Sequence, residues 1–267
     1  MNTSLPAASP SSPFSSGTGI SAWRIFRLET RNELLKMLRM PAYLLPTLCF
    51  PVLFYLMFGV VFARSAETAT YLLATYGTFG LLGATFFGLG VGLAVERGQG
   101  WLLLKRATPM RPQLHFAARI LVASAIGGVV ILLLFVAAAS TRVELPALTW
   151  LRLFFILGCA AIPFSAIGLA FGQWLGPNSA PAVINLVYMP ISFLSGLWMP
   201  VKILPAFLQQ LAPFLPPYHA SQLALRTLGL SRETDIWPSI LALAATTGIA
   251  LFFAQLGQRR DRGATYG

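Results

Sequence analysis

Charged residues are scarce in this sequence, and almost none of them lies in its long apolar runs. Only 10% of the 267 residues are charged and 56% are hydrophobic, whereas a typical soluble protein is about 25% charged. A chain with so little charge cannot cover its apolar surface with polar groups, so much of that surface must face lipid. The composition therefore indicates an integral membrane protein.

Six apolar runs are long enough to cross a bilayer, whose hydrocarbon core of about 30 Å requires roughly 20 residues of helix. None of them contains Asp, Glu, Lys or His. The predicted spans are residues 41–63, 71–95, 120–140, 151–174, 181–199 and 236–257. We therefore expect an all-α integral membrane fold with six transmembrane helices.

The absence of Asp, Glu, Lys and His from the predicted spans bears on whether an ion gradient could supply energy to this chain. Secondary transporters commonly hold protons or ions on Asp, Glu, His or Lys within the membrane, so these spans argue against coupling to a proton or sodium gradient. The lysines of the chain are Lys36, Lys105 and Lys202, and none is followed by Ser or Thr. A phosphate-binding P-loop is therefore absent from the sequence, and the chain has no ATPase site of that kind.

Patterns for catalysis and metal binding are also missing. No Gly-x-Ser-x-Gly turn occurs, and His115 and His219 fall in connections on opposite faces of the membrane, which disfavours intramembrane proteolysis. Cys49 and Cys159 lie inside apolar runs, where cysteine usually acts as a small apolar side chain. We expect a chain that is not an enzyme and that binds neither a metal nor a cofactor of its own.

The excess of basic residues predicts the topology. The chain has 19 Lys and Arg against 8 Asp and Glu. Thirteen of the 19 fall on one side of the predicted spans and six on the other, so the positive-inside rule places both termini in the cytoplasm. Residues 1–20 are rich in Ser, Pro and Gly and are expected to form a disordered cytoplasmic tail, residues 21–258 the membrane domain, and residues 259–267 a second cytoplasmic tail.

Residues 21–40 have the pattern of an amphipathic helix that lies in the membrane interface. Its anchoring tryptophan and its basic residues are Trp23, Arg24, Arg27, Arg31, Lys36 and Arg39. Pro41 predicts a break between this helix and the first span. The helix is either a surface anchor or a contact for a partner, and the two roles are compatible.

The connection before the last span is apolar but rich in proline. A proline inside a helix removes a backbone hydrogen bond, so we expect short helices that enter the outer leaflet partway as a re-entrant segment. The residues that mark this segment are Gly196, Pro200, Pro205, Pro213, Pro216 and Pro217. It is a candidate extracellular gate for a translocation path, and simple packing is the alternative.

Two stretches of the sequence carry recognisable motifs. The first runs from Glu96 to Pro109 (ERGQGWLLLKRATP) at the cytoplasmic end of the second span, and the second runs from Asn185 to Pro217 and contains FLSGLWMP. Together they resemble the type-2 permeases of ATP-binding-cassette (ABC) transporters. The interfacial helix, six spans and a proline-broken outer segment also follow the order of that family, so the resemblance covers residues 21–258.

The resemblance implies that the energy for this protein comes from ATP hydrolysed by a different subunit. It implies that the first stretch couples to a separate ABC ATPase subunit, which binds the ATP and Mg. The residues concerned are Glu96, Arg97, Gly98, Gly100, Trp101, Leu102, Leu103, Leu104, Lys105, Arg106 and Pro109. The alternative for this stretch is a basic loop held by anionic lipid headgroups.

For the whole chain, the resemblance implies the permease subunit of an ABC exporter in the bacterial inner or plasma membrane. Two copies would face each other, surrounded by membrane lipid and with two ATPase subunits beneath them. The expected substrate is an amphiphilic or hydrophobic solute such as a drug-like compound, a lipid or a lipid-linked glycan. The alternatives are a stand-alone secondary carrier or channel and a non-transporting membrane scaffold.

Overall fold

The computed structural model describes residues 21–63, 65–101, 112–140, 143–231 and 235–263. Within these ranges all regular secondary structure is helical, which confirms the predicted all-α fold. Five helical stretches are both long and apolar enough to cross a membrane. The disordered tail predicted for residues 1–20 lies outside the described residues.

The described residues form ten α-helices. In chain order they are α1 (Ala22–Leu38), α2 (Pro41–Phe54), α3 (Ala66–Thr85), α4 (Gly92–Gly98), α5 (Pro112–Ala139), α6 (Ala147–Trp174), α7 (Ala180–Leu194), α8 (Ala206–Leu211), α9 (Pro216–Thr227) and α10 (Trp237–Gly263). Two π-helical segments, Tyr55–Val61 and Phe86–Val91, extend α2 and join α3 to α4. The five spans are thus α2, α3 with α4, α5, α6 and α10.

Local sequence signals account for several helix starts. Pro41 begins α2 and Pro216 begins α9, because the first turn of a helix needs no backbone N–H from its residues. The Ser65 hydroxyl accepts a hydrogen bond from the Thr68 backbone N–H at 3.2 Å and so caps α3. The Asp235 carboxylate accepts one from the Trp237 backbone N–H at 3.0 Å at the start of α10.

The long stretch formed by α3 and α4 is the centre of the bundle, and it is much more buried than α2 or α10. Glycine lets α6 pack directly against it: a Cβ at Gly168 would lie 2.8 Å from the Thr85 carbonyl oxygen, and one at Gly172 would lie 2.9 Å from the Leu89 carbonyl oxygen. Small residues four apart on one helix are a common way for spans to approach closely. The glycines of this region therefore serve helix packing.

Several predicted spans are shorter than the observed helices. The second span extends to Gly98, three residues past its predicted end, and the third begins at Pro112 rather than at residue 120. Both extensions carry charged side chains, which a search for apolar runs excludes. Because these charged turns are helical, Glu96 lies on α4 and Arg119 lies on α5, and the two side chains can contact each other.

The fifth predicted span differs most from its helix. The prediction was residues 181–199, but α7 has only 15 residues, which corresponds to about 22 Å at 1.5 Å per residue. The chain turns at Gly196, whose φ is 74°. Among the described residues, five helices are long enough to span a membrane and one shorter helix is apolar, so the sixth crossing stays a prediction.

The proline-rich connection forms short helices, as predicted. A 3-10 turn (Val201–Ile203), α8, a second 3-10 turn (Ala212–Phe214) and α9 follow α7 in close succession. Within it, the His219 ring is bonded on both sides: Nε2 donates to the Pro213 carbonyl at 2.7 Å, and Nδ1 lies 3.1 Å from the Ser239 hydroxyl. This histidine therefore ties the connection to α10.

Replacing Gly196 with alanine is expected to destabilise this turn. Its φ of 74° strains any side chain, and a Cβ there would overlap the Val201 side chain. We expect a loss of about 1–2 kcal/mol from the backbone strain and a further loss from the overlap. Thermal unfolding in detergent should show a larger decrease for Gly196→Ala than for Gly229→Ala, because Gly229 has a φ of 71° but no atom within 4 Å of its Cβ position. Equal decreases would show that the Val201 contact contributes nothing.

Candidate functional site

A group of ionisable side chains lies where α1, α4 and α5 meet at one end of the bundle. We call it the charged junction and define it by Glu29, Glu33 and Lys36 of α1, Glu96 of α4, and His115 and Arg119 of α5. We call the end of the bundle that carries it the basic end. Since charge is otherwise rare in this chain, the junction is the first candidate for a function beyond packing.

Glu96 is the centre of the charged junction. One of its carboxylate oxygens accepts a hydrogen bond from the Lys36 ammonium, and the other accepts one from the Arg119 guanidinium. The Glu96 side chain is 13% exposed and that of Arg119 is fully buried. Arg119 Nη2 also lies 3.4 Å from the Gly88 carbonyl oxygen. One carboxylate thus joins α1 and α5 to the helix that leads out of the second span.

Gly92 makes room for this arrangement. A Cβ at that position would lie 2.8 Å from Arg119 Nη2, so any larger residue would push the guanidinium away from Glu96. The buried charge of Arg119 depends on this carboxylate, because an uncompensated buried charge is strongly unfavourable.

His115 connects the same three helices. Its Nδ1 lies 2.6 Å from Glu29 Oε1 and 3.9 Å from Glu33 Oε1, and its Nε2 lies 3.9 Å from Glu96 Oε2. Glu29, Glu33 and His115 each place a possible ligand atom within 4.8 Å of the others, a spacing that fits a metal ion. The Lys36 ammonium, however, is paired with both Glu33 and Glu96, and a cation in that position makes the group an ion-pair network.

The orientation of α1 follows from these contacts. Its buried positions are Glu33 and Met37, whereas Trp23, Leu34 and Leu38 are exposed on the surface of the chain. The helix therefore turns its carboxylates towards the bundle and leaves apolar side chains facing outwards. The sequence analysis does not predict this inward acidic face. The signal that could indicate it is the pair Glu29 and Glu33, which are four residues apart within an otherwise basic segment.

Arg97 and Gly98 fix α4 to the end of α6. Arg97 Nη1 donates to the Gly172 and Leu175 carbonyls at 2.9 and 3.3 Å, where a cation stabilises the exposed carbonyls of a helix C-terminus. A Cβ at Gly98 would overlap the Pro177 ring. The chain thus leaves the second span from a helix that three neighbouring helices hold in place.

A second feature is a cleft of about 340 Å³ between α2, α3 and α7. Its lining includes Tyr43, Thr47, Phe50, Gly80, Gly83, Asn185 and Tyr188. Tyr188 donates its hydroxyl to the Phe79 carbonyl at 3.1 Å, whereas no hydrogen bond within the described part of the chain holds the Asn185 amide. The cleft is therefore apolar with a single uncommitted amide in its wall.

An aromatic cluster lies next to this cleft, towards the end of the bundle opposite the charged junction. The Phe79 ring stacks on Tyr188 at 4.9 Å and meets Trp198 edge-on at 6.0 Å. Phe54 joins the cluster through Tyr76 and Trp198 at 6.3 and 5.9 Å. These rings fill the space between α2, α3 and the turn that follows α7.

The comparison with family models identifies the family of this chain. The family model described as ABC-2 type transporter matches residues 25–228. The chain belongs to the ABC-2 type transporter family. It is also 26% identical over 243 residues to YvfS of Bacillus subtilis (strain 168), a protein named as a transport permease, with 89% of this chain and 98% of that protein covered. The resemblance predicted from the sequence is thereby confirmed.

The family assignment gives the coarse function. This ABC-2 family member is a multi-pass membrane protein of transport permease type. Membership of this family indicates a membrane subunit of a transporter rather than an enzyme. It also implies partnership with an ABC ATPase. Its exporter role, substrate, homodimer, orientation and location in the inner membrane stay proposals.

The predicted coupling residues of this ABC-2 protein fall into two groups. Glu96, Arg97 and Gly98 face the bundle, as described above. Gly100, two residues after Gly98, has a φ of 74°, and Trp101 is 53% exposed. The remaining predicted coupling residues lie outside the described residues: Leu102, Leu103, Leu104, Lys105, Arg106 and Pro109.

The other predicted residues lie at the two ends of the bundle. Of the helix α1 set, Lys36 belongs to the charged junction, and the others are exposed: Trp23, Arg24, Arg27, Arg31 and Arg39. The Gly196 carbonyl accepts a hydrogen bond from the Tyr71 hydroxyl at 3.0 Å. The predicted gate prolines, Pro200, Pro205, Pro213, Pro216 and Pro217, start or interrupt the short helices between α7 and α10.

Proposed function

We propose that this chain is the permease subunit of an ABC exporter that moves an amphiphilic or hydrophobic solute outwards. ATP would be hydrolysed by a separate ATPase subunit. Family membership supports the transporter class, and the absence of a P-loop from the sequence requires that the nucleotide site lie elsewhere.

The proposed topology places the basic end in the cytoplasm. It rests on the distribution of Lys and Arg, with thirteen on this side and six on the other, as the positive-inside rule requires. The docking surface for a cytoplasmic ATPase would then be at the same end as the charged junction. Both termini and the segment from Trp101 to Pro109 would also lie there.

The observation that carries the proposal is the double ion pair of Glu96. Trp101, five residues further on, is exposed, while Glu96 itself is locked to α1 and α5. A force applied to the chain beyond Gly100 would therefore move these helices together as one body, which is how a docked ATPase can drive helices buried in lipid. In this mechanism Glu96 transmits the movement and the residues after it make the contact.

The proposed path runs along the cleft between α2, α3 and α7. Its volume of about 340 Å³ is at the lower end of the range for ligand sites, and its apolar wall with the single Asn185 amide suits an amphiphile. The aromatic cluster around Phe79 would close the cleft on the outer side, together with the turn at Gly196.

The proposal includes a second copy of the chain. The outward side of α7 is apolar, with Leu186 and Pro190 exposed, and it carries the uncommitted Asn185 amide. A facing copy would cover this surface and enclose the cleft from the open side. Because two ATPase subunits act together in the implied assembly, a two-fold arrangement of permeases would match them.

Trp101→Ala tests the docking surface. An exposed tryptophan at a protein interface is commonly a residue that carries much of the binding energy, worth about 2 kcal/mol or more. We therefore expect at least a roughly tenfold decrease in the amount of ATPase subunit that co-purifies with the tagged chain from native membranes, measured by quantitative mass spectrometry.

Trp237→Ala is the matched control, because Trp237 is 62% exposed and lies at the opposite end of the bundle. It should retain the ATPase at the level of the unchanged protein. If no protein with P-loop motifs co-purifies with the unchanged chain, or if Trp237→Ala loses it as much as Trp101→Ala does, the proposed partner or its docking site is wrong.

A further inference from the structure

A separate pocket of about 490 Å³ opens at the basic end between α5, α6 and α10. It is distinct from the charged junction, since α5 directs His115 and Arg119 towards α1 and α4 but lines this pocket with Gln113, Phe116 and Ile120. It is also distinct from the cleft between α2, α3 and α7, with which it shares no residue.

The Gln173 amide is the first sign that the pocket binds a ligand. Its residue is only 5% exposed and lines the pocket, and within the described part of the chain its side chain makes no hydrogen bond. The amide atoms are not among the fully buried polar atoms without a partner, so they reach the open space of the pocket. An acceptor or donor group of a ligand can therefore meet the Gln173 amide there.

The wall of the pocket is held in place on the side of α10. A Cβ at Gly257 would lie 2.7 Å from the Gln173 Cβ, so α10 and α6 touch there without an intervening side chain. The Trp174 indole also donates to the Phe253 carbonyl at 2.9 Å. These two contacts between α6 and α10 therefore fix the shape of the pocket that Gln173 faces.

The lining changes from apolar to polar in the same direction on all three helices. Moving towards the basic end, α5 presents Ile120, Phe116 and Gln113, and α6 presents Leu169 and Gln173. On α10 the order is Leu251, Ala254, Gln255, Gln258 and Arg259. A lipid at a membrane surface has the same order, with an acyl chain inside, ester groups next and a headgroup outermost.

The charge of the lining selects among lipids. Arg259 lies at the polar rim, and the described lining contains no carboxylate. A guanidinium beside amide donors suits a phosphodiester, and basic pockets between membrane helices on the cytoplasmic side are recognised sites for anionic lipids. A zwitterionic headgroup would add a cation next to Arg259.

We propose that this pocket binds one anionic phospholipid from the leaflet at the basic end. The phosphate is held by Arg259 and the amides of Gln258 and Gln173, and an acyl chain lies on Phe116 and Ile120. The bound lipid fastens α10, the last span, to α5 and α6. This site goes beyond the proposed transport function and does not depend on it.

The test measures thermal unfolding of the full-length protein in detergent with phosphatidylglycerol, phosphatidylcholine or inorganic phosphate added, together with lipid retained by native mass spectrometry. We expect phosphatidylglycerol to raise Tm by about 4 °C and to remain bound as one molecule. Phosphatidylcholine and inorganic phosphate should have little effect. A rise of equal size with phosphatidylcholine, or with inorganic phosphate alone, would overturn the proposal.

Two variants test whether the response to phosphatidylglycerol arises in this pocket. Arg259→Gln should weaken the response to phosphatidylglycerol by roughly fivefold in apparent affinity. Arg260→Gln is the matched control, because Arg260 lies over the Trp174 ring at 5.6 Å and does not line the pocket, and it should keep the full response. If both variants weaken the response equally, the effect is general surface charge and the proposed site is wrong.

Gln173→Leu separates binding from folding. Replacing the unpaired amide with an apolar side chain of similar size should leave Tm without lipid unchanged or higher, yet remove most of the rise with phosphatidylglycerol. A variant that keeps the whole rise would show that Gln173 does not contact the lipid. Should Gln173→Leu lower Tm in the absence of lipid, the amide is stabilised by the protein itself and the argument from its lack of a protein partner fails.

Discussion

Glu96→Ala is expected to reduce ATP-coupled transport by about tenfold or more while leaving membrane insertion unchanged. The carboxylate that joins Lys36 and Arg119 disappears, and the fully buried Arg119 side chain loses its ionic partner. Removing one member of a buried ion pair costs roughly 3 kcal/mol, so a lower unfolding temperature should accompany the functional loss. Insertion depends on the apolar runs and the distribution of basic residues, neither of which changes.

The measurement compares transport per inserted molecule, with the amount in the membrane determined by quantitative immunoblotting. Glu67→Ala is the matched control, because Glu67 is an exposed acidic residue in the first turn of α3. It should transport normally. Glu96→Asp should recover part of the activity, since the charge is retained on a shorter side chain. Normal transport by Glu96→Ala at normal expression would contradict the transmitting role of Glu96.

Gly168→Leu is expected to separate α6 from α3 and to destabilise the bundle. Even a Cβ at this position would lie 2.8 Å from the Thr85 carbonyl oxygen and 3.1 Å from the Leu89 Cβ. Backbone cannot move aside as a flexible side chain can, so the whole helix must shift. Overpacking of this kind typically costs about 1–3 kcal/mol, and occasionally more.

Gly158→Leu is the control, because Gly158 lies on the same helix with no atom within 4 Å of its Cβ position. Thermal unfolding in detergent, followed by tryptophan fluorescence, should show a clear decrease for Gly168→Leu and little change for Gly158→Leu. Comparable decreases would mean that leucine is poorly tolerated anywhere on α6, and the close contact with α3 would then not be the cause.

Most of the helical framework follows from the sequence, because a span must satisfy its own backbone hydrogen bonds and must present apolar side chains to lipid. For this reason, five of the six predicted spans correspond to observed helices that are long and apolar enough to cross a membrane. The sequence is less informative about α7, since the length of an apolar run does not show where within that run the helix ends and the chain turns. The turn at Gly196, whose φ is 74°, ends the helix within a run that is apolar on both sides.

The helix ends near the charged junction were predicted too short for a different physical reason. Glu96, His115 and Arg119 are polar in isolation, and a search for apolar runs stops before them. In the folded chain Glu96 pairs with Lys36 of α1 and with Arg119 of α5, and His115 contacts Glu29 of α1, although most of these residues are far apart in sequence. Such pairing is tertiary, so local hydropathy cannot indicate that the helices continue.

The candidate site was likewise predicted only in part. The resemblance marked Glu96 and Arg97, but it implied contact with a partner, whereas the structure gives both of them partners within the chain. Glu29, Glu33 and Arg119 were not predicted as site residues at all. Their importance depends on helix packing that brings α1 against α5, which the sequence pattern of α1 alone does not determine.

Reconstitution tests the central claim most directly, which is that this chain takes its energy from a separate ATPase. The purified chain would be placed in liposomes with and without the co-purified ATPase subunit, and accumulation of a fluorescent amphiphile against its gradient would be followed with and without ATP. We predict accumulation only when the ATPase subunit and ATP are both present. Accumulation by the chain alone, or with ion gradients in place of ATP, would contradict the account.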